Sequence, residues 1–205
     1  MAPQTRVKIC GITQVDDAQE VMHVGADAIG LVFYRPSPRC VTFDQAQKIA
    51  GVVGPFVSVV GLFVDADEQT VSQVLERVPL NLLQFHGNES REYCEQFKRP
   101  YLKALRMKPG LDVLRAIEQY PTASGILLDA YHKGVAGGTG EVFDWDRVPQ
   151  NSPCPIVLAG GLNPINVRRA ITAVSPYGVD VSSGVESTPG RKDIKKIVEF
   201  MKEIS

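Results

Sequence analysis

Eight short runs rich in β-branched and other apolar residues, spread evenly along the chain, constrain its fold more than any other feature. They are Val7 to Ile12, Asp27 to Phe33, Phe56 to Val64, Leu82 to His86, Tyr101 to Met107, Gly125 to Asp129, Pro155 to Gly160 and Gly178 to Ser183. Between them lie segments of helical spacing: Val15 to Val24, Thr70 to Val78, Val167 to Val174 and Asp193 to Ile204. In the last, Ile194, Ile197, Val198 and Met201 share one face. Thr13 and Asp44 read as N-caps, and Asn163-Pro164 reads as a first helical turn. Eight strands alternating with seven or eight helices need crossover connections, so the sheet is expected to be parallel throughout. The βα unit recurs roughly every 25 residues in a chain of 205, near the lower limit for this architecture. The expectation is an α/β fold, a single (β/α)8 barrel of eight parallel strands forming one domain over residues 1–205. The alternative, a doubly wound open sheet, would use fewer strands and a glycine-rich turn after the first. Cys10-Gly11-Ile12-Thr13 supplies no GxGxxG.

Composition narrows the function. A net charge of -1 argues against nucleic acid as a partner. No apolar run approaches the ~20 residues that span a bilayer, and the first residues carry no signal-peptide pattern. Neither a membrane nor an oxidising compartment is therefore expected, and the cytoplasm is the expected location. Four cysteines and three histidines lie scattered with no CxxC, so no metal site is expected.

Barrel enzymes work at the C-terminal ends of their strands. The first strand ends in Lys8-Ile9-Cys10-Gly11, where strand alternation puts Lys8 and Cys10 on one face and Ile9 on the other. The sixth ends in Leu127-Leu128-Asp129, a carboxylate misplaced in a core but apt at the mouth of one. Across a closed ring Cys10 and Asp129 would face each other. After the second strand, two prolines stiffen Tyr34-Arg35-Pro36-Ser37-Pro38-Arg39, and a guanidinium on such a loop suits capture of a carboxylate. Ala159-Gly160-Gly161 and Val181-Ser182-Ser183-Gly184 close strands seven and eight. Glycines there let backbone N–H groups reach an anion, and these loops are the usual phosphate site of the architecture. Gly134 to Gly140 reads equally as a lid or a plain surface loop, with Phe143 and Trp145 anchoring its far end.

Taken together these motifs resemble the phosphoribosylanthranilate isomerases. The resemblance rests on Val7-Lys8-Ile9-Cys10-Gly11-Ile12-Thr13, Gly25-Ala26-Asp27-Ala28-Ile29-Gly30, Phe33 through Arg39 and Leu83-Gln84-Phe85-His86-Gly87. It continues through Leu127-Leu128-Asp129, Gly137 through Trp145, Leu158 through Pro164 and Val179 through Glu186. Each motif is weak alone, but their order and spacing from residue 7 to 201 are specific. Only Arg35-Pro36-Ser37-Pro38 falls where the family varies. The resemblance implies a TIM barrel in tryptophan biosynthesis that carries out an Amadori rearrangement of N-(5-phosphoribosyl)anthranilate. It implies Cys10 as general base, Asp129 as general acid and Arg39 on the anthranilate carboxylate. It places the phosphate at Gly160, Gly161, Ser183 and Gly184.

The chemistry is consistent with those residue types. Opening the furanose needs an acid on the ring oxygen, and removing the C2 proton of the resulting Schiff base needs a base. Only protons move, so no cofactor is expected. A thiol near its reference pKa of ~8.5 needs a cationic neighbour to act as a base, and Lys8 is the candidate. Among rival readings, the related histidine-pathway isomerase has aspartate in place of Cys10 and a second phosphate site, for which Val64-Asp65 and His86-Gly87-Asn88 give no cradle. A metal-dependent epimerase would need clustered His and Asp, and a non-catalytic phosphate-binding barrel would have lost Cys10 or Asp129. The partner expected is a small phosphorylated molecule, with the chain a monomer or a homodimer.

Overall fold

A computed structural model describes residues 4–130 and 142–204. Eight parallel strands close into a barrel in chain order: β1 (Arg6–Cys10), β2 (Ala28–Val32), β3 (Ser58–Phe63), β4 (Leu82–Phe85), β5 (Tyr101–Arg106), β6 (Gly125–Asp129), β7 (Ile156–Leu158) and β8 (Gly178–Val181). Closure comes from β8 pairing with β1, Arg6 opposite Gly178 and Lys8 opposite Asp180. The outer layer is α1 (Val15–His23), α2 (Phe43–Gly51), α3 (Glu68–Arg77), α4 (Arg91–Glu95), α5 (Val113–Glu118), α6 (Val167–Val174) and α7 (Ile194–Lys202). Among the described residues β6 and β7 are joined through one 3-10 turn, Trp145–Arg147, with no α-helix. None of the described helices is long and apolar enough to cross a membrane.

Strand alternation builds two cores. Val7, Ile9, Ile29, Leu31, Leu83 and Ile126 point outward and share one cluster with Ala18, Val21, Ala46, Ile49, Val71 and Val74 of the helices. The barrel interior holds the smaller cluster Ala104, Leu127, Val157 and Ala159. Ile9 faces the helices as its alternation requires, leaving Lys8 and Cys10 on the inner face.

Two expected caps are corrected. Gln14 precedes α1 without a side-chain cap bond, and Thr13 instead donates Oγ1 to the Gly190 carbonyl at 2.5 Å. For α2 the cap is Thr42, in a reciprocal capping box with Gln45, while Asp44 lies inside the first turn. That box contributes about 1 kcal/mol to its helix. Asn163 forms a turn before α6, its Oδ1 accepting from Ile165 N–H at 2.9 Å. After β8 the chain makes a 3-10 turn, Ser183–Val185, and an antiparallel hairpin of β9 (Glu186–Thr188) and β10 (Arg191–Lys192). Phe143 and Trp145 pack against the core, and Trp145 lies under the Arg169 guanidinium at 5.2 Å. The Gly134 to Gly140 segment read as a possible lid lies outside the described residues.

Candidate active site

The C-terminal ends of the strands surround one pocket of about 760 Å³ including its open mouth. It gathers Cys10 from β1, Arg39 from the loop after β2, Asp129 from β6, Gly160 and Gly161 after β7, and Ser183 after β8. These residues are spread over more than 170 positions of sequence, and the closed ring of strands alone brings them together. Gly184 lies behind this wall. A side chain on it would run into the carbonyl of Leu162, so its glycine lets loop eight press against loop seven.

Gly160 and Gly161 both sit at positive φ, +81° and +68°, in the region L side chains rarely adopt. A Cβ on Gly160 would also come within 2.9 Å of Asp129 Oδ1. The backbone N–H groups of Gly160, Gly161, Ser183 and Gly184 engage no partner among the described residues. The Ser182 hydroxyl, which lines the same wall, is buried and also has no partner among the described residues. A cluster of unpaired donors on two adjacent turns is chemically an anion cradle.

Loops three and four are built the opposite way. Asp65 N–H and Gly87 N–H donate to Glu89, and Asn88 N–H donates to Asp65. Their amides already hold carboxylates of the chain itself.

Arg39 is held side-on by Glu186: Nε donates to Oε1 at 2.8 Å and Nη2 to Oε2 at 2.6 Å. Glu186 also pairs with Lys192 at 2.9 Å. Burial alone would push the Glu186 carboxyl up, but Arg39 and Lys192 outweigh it and hold it below the ordinary carboxylate value. The bidentate grip anticipated for a ligand carboxylate is thus already used once, inside the protein, on one edge of the guanidinium. The Nη1/Nη2 edge remains. Arg35 is exposed and does not line the pocket.

Cys10 is 5% exposed. Burial pushes its thiol up; Lys8 and Lys192 pull it down, and Asp180 adds to the rise, leaving it above its ordinary value. Lys8 is therefore near Cys10 as expected, yet its salt bridge runs to Asp180 at 2.8 Å. Asp129 Oδ2 lies 2.9 Å from His86 Nε2, and His86 Nδ1 lies 2.9 Å from the Gln84 amide nitrogen. With that amide donating to Nδ1, the proton of a neutral imidazole is assigned to Nε2, which donates to Asp129.

The sequence reading did not find His86, Asp180, Glu186 or Lys192. His86 stood inside a resemblance motif, one strand-face step from Gln84, and alternation could have placed it in the mouth. Asp180 and Glu186 stood inside the Val179 through Glu186 motif, but their partners Lys8 and Arg39 lie far away in the chain, and no local pattern marks Lys192.

The comparisons agree with this geometry. The family model described as N-(5'phosphoribosyl)anthranilate (PRA) isomerase matches residues 7–203. A curated relative from Cellvibrio japonicus, N-(5'-phosphoribosyl)anthranilate isomerase, is 62% identical over 195 residues, 95% of this chain and 91% of its own length. The crystal structure of phosphoribosyl anthranilate isomerase from Thermotoga maritima superposes with a TM-score of 0.86 at 40% identity, covering 98% of both chains. Another, of the isomerase in complex with reduced 1-(o-carboxyphenylamino)-1-deoxyribulose 5-phosphate, does so at 0.83 and 39% identity, again over 98% of both. With the eight-stranded barrel and this pocket in place, the chain belongs to the N-(5'-phosphoribosyl)anthranilate isomerase family.

Proposed function

We propose that this pocket converts N-(5-phosphoribosyl)anthranilate into 1-(o-carboxyphenylamino)-1-deoxyribulose 5-phosphate with Asp129 as general acid and Cys10 as general base. The observation that carries the reading is convergence: one pocket holds a thiol, a carboxyl, a guanidinium edge and a wall of unpaired N–H donors. The phosphate lies against Gly160, Gly161 and Ser183, with the Gly184 N–H contributing from behind that wall, and the anthranilate carboxylate meets the free edge of Arg39. This orientation stretches the ribose between Asp129 and Cys10. Asp129 protonates the ring oxygen, the C1–O bond breaks and the amine lone pair forms the Schiff base. Cys10 removes the C2 proton, and the electron pair left behind moves toward nitrogen to give an enaminol that tautomerises to the ketone. His86 acts as a positioning residue by holding Oδ2 of Asp129, so that Oδ1 is the oxygen turned to the substrate. The consumed amides of loops three and four favour this substrate over one with phosphates at both ends.

The test is complementation of a tryptophan auxotroph lacking this isomerase, together with turnover of purified variants. Cys10→Ser is expected to abolish most turnover with the fold intact. Asp129→Asn should cost about 10²–10⁴-fold, the usual contribution of general acid catalysis. Near-normal turnover in either variant removes that residue from the mechanism.

A further inference from the structure

Barrel interiors of this architecture are normally filled by branched apolar side chains. Here the layer beneath Cys10 holds an ion pair instead. Lys8 and Asp180 are register partners across the β1–β8 seam, with Nζ 2.8 Å from Oδ1. Their side chains are 6% and 8% exposed. Such a pair is a poor source of stability, because apolar residues of similar volume generally do as well or better. Its position supplies another reason for it. Lys8 shares a strand face with Cys10, and Asp180 lines the same pocket wall as the thiol.

We infer that the buried Lys8–Asp180 pair sets the basicity of Cys10: Lys8 makes its thiolate accessible, and Asp180 keeps that thiolate a strong base. The inference rests on the reading of Cys10 as the general base. The surroundings of the sulfur are sparse enough to argue from. Its own strand contributes Lys8, β8 contributes Asp180, and β10 contributes Lys192, whose Nζ donates to the Cys10 carbonyl at 2.6 Å. Next door β2 contributes only Gly30, where a Cβ would lie 2.7 Å from Sγ. Among the described residues, the pocket's other titratable groups are Tyr34, the Asp129–His86 pair and Arg39, which Glu186 neutralises. Lys192 is already paired with Glu186, so without Asp180 the unopposed cation beside the sulfur would be Lys8, which would give a more abundant thiolate of lower proton affinity, and nucleophilic and basic strength fall as pKa falls. A carbon-bound proton demands a stronger base than that. Burial raises the thiol most, Lys8 pulls it down, and Asp180 offsets Lys8 and adds to the rise, so the thiol lies above its ordinary value. Lys8 and Asp180 are positioning residues in this scheme; the proton itself passes from C2 to Sγ.

The experiment titrates Cys10 in the folded enzyme, by thiolate ultraviolet absorbance and by the pH dependence of iodoacetamide alkylation, with Cys10→Ser subtracting the other thiols. Asp180→Asn should lower the midpoint by about one pH unit or more, and Lys8→Met should raise it by as much. In Asp180→Asn the thiolate fraction at neutral pH rises while kcat falls, an opposition that simple structural damage would not produce. The double variant Lys8→Met/Asp180→Leu, with an apolar pair, should bring the midpoint back toward wild type. That return, together with the rise in Lys8→Met, carries the test even where Asp180→Asn fails to fold. Unmoved midpoints overturn the inference. Lowered thiol midpoints with undiminished kcat in Asp180→Asn overturn its catalytic half. Full turnover in Cys10→Ser would instead overturn the assignment of the base and leave the titration standing, so the two failures are distinguishable.

Discussion

Arg39 enters the pocket with Nε and Nη2 committed to Glu186, which fixes the plane of the guanidinium and aims its remaining edge. A planar donor held in this way loses little freedom when a second carboxylate arrives. Removing it should therefore cost what a charge-assisted pair contributes, about 1.5–3 kcal/mol or roughly tenfold to a hundredfold in affinity. We expect Arg39→Ala to weaken a reduced product analogue by that factor and to leave inorganic phosphate binding unchanged, both read by calorimetry. Glu186 keeps its bond to Lys192 in this variant, so the hairpin stays in place. Equal weakening of both ligands would mean that the two ends of the substrate are assigned the wrong way round. At this scale the sequence was informative about residue type and poor about company. Two arginines bracketed the same proline-stiffened loop, and only the fold separates the exposed Arg35 from the half-buried Arg39. The carboxylate that holds Arg39 lies 147 positions away, beyond any local pattern.

In the proposed phosphate site the turns after β7 and β8 act through backbone, which gives their substitutions an unusual order of severity. Gly161 is held at φ +68°, where a β-branched residue is strained. Gly161→Val is expected to weaken phosphate binding more than about tenfold, by strain and by filling the cradle. Ser183→Ala removes only a hydroxyl and should stay within about threefold, since its N–H is untouched. Titration with inorganic phosphate ranks them, and a larger loss in Ser183→Ala would transfer the site from backbone to side chain. The elements that carry these turns were legible because a strand buried on both faces is mostly apolar, even where Lys8, Gln84, Lys103 or Asp180 interrupts the run. All eight were placed within a residue or two, and Gly125–Asp129 coincides with β6. The helix caps were not legible in the same way. Thr13 and Thr42 look alike in sequence, but the first is drawn to the Gly190 carbonyl and only the second meets its own helix. The β9–β10 hairpin escaped because strands of three and two residues have no readable period.

For the molecule as a whole, the seam between β8 and β1 is where chain ends meet and where closure must be secured. The hairpin does this through Lys192, whose Nζ donates to the carbonyls of Cys10 and Ser182, one on each side of the seam. Glu186 neutralises that ammonium and reaches across to Arg39, so one carboxylate joins the seam to the second βα loop. Because its folded-state carboxyl is held below the ordinary value, Glu186 contributes stability above its unfolded value of ~4.3 and loses it as pH falls through the folded one. Glu186→Gln leaves the buried Lys192 and the half-buried Arg39 short of a partner and should cost about 3–5 kcal/mol at neutral pH. On acidification the wild-type carboxyl protonates and comes to resemble the amide, so the gap in Tm between the two proteins should shrink from about pH 5 downward. The other carboxylates titrate alike in both, which makes the difference specific to Glu186. Thermal unfolding followed by circular dichroism from neutral to strongly acidic pH measures that gap directly. A gap that keeps its neutral size in acid would show that the charge of Glu186 does not secure the seam, and the closure would then have to rest on the β1–β8 backbone ladder and the Lys8–Asp180 pair.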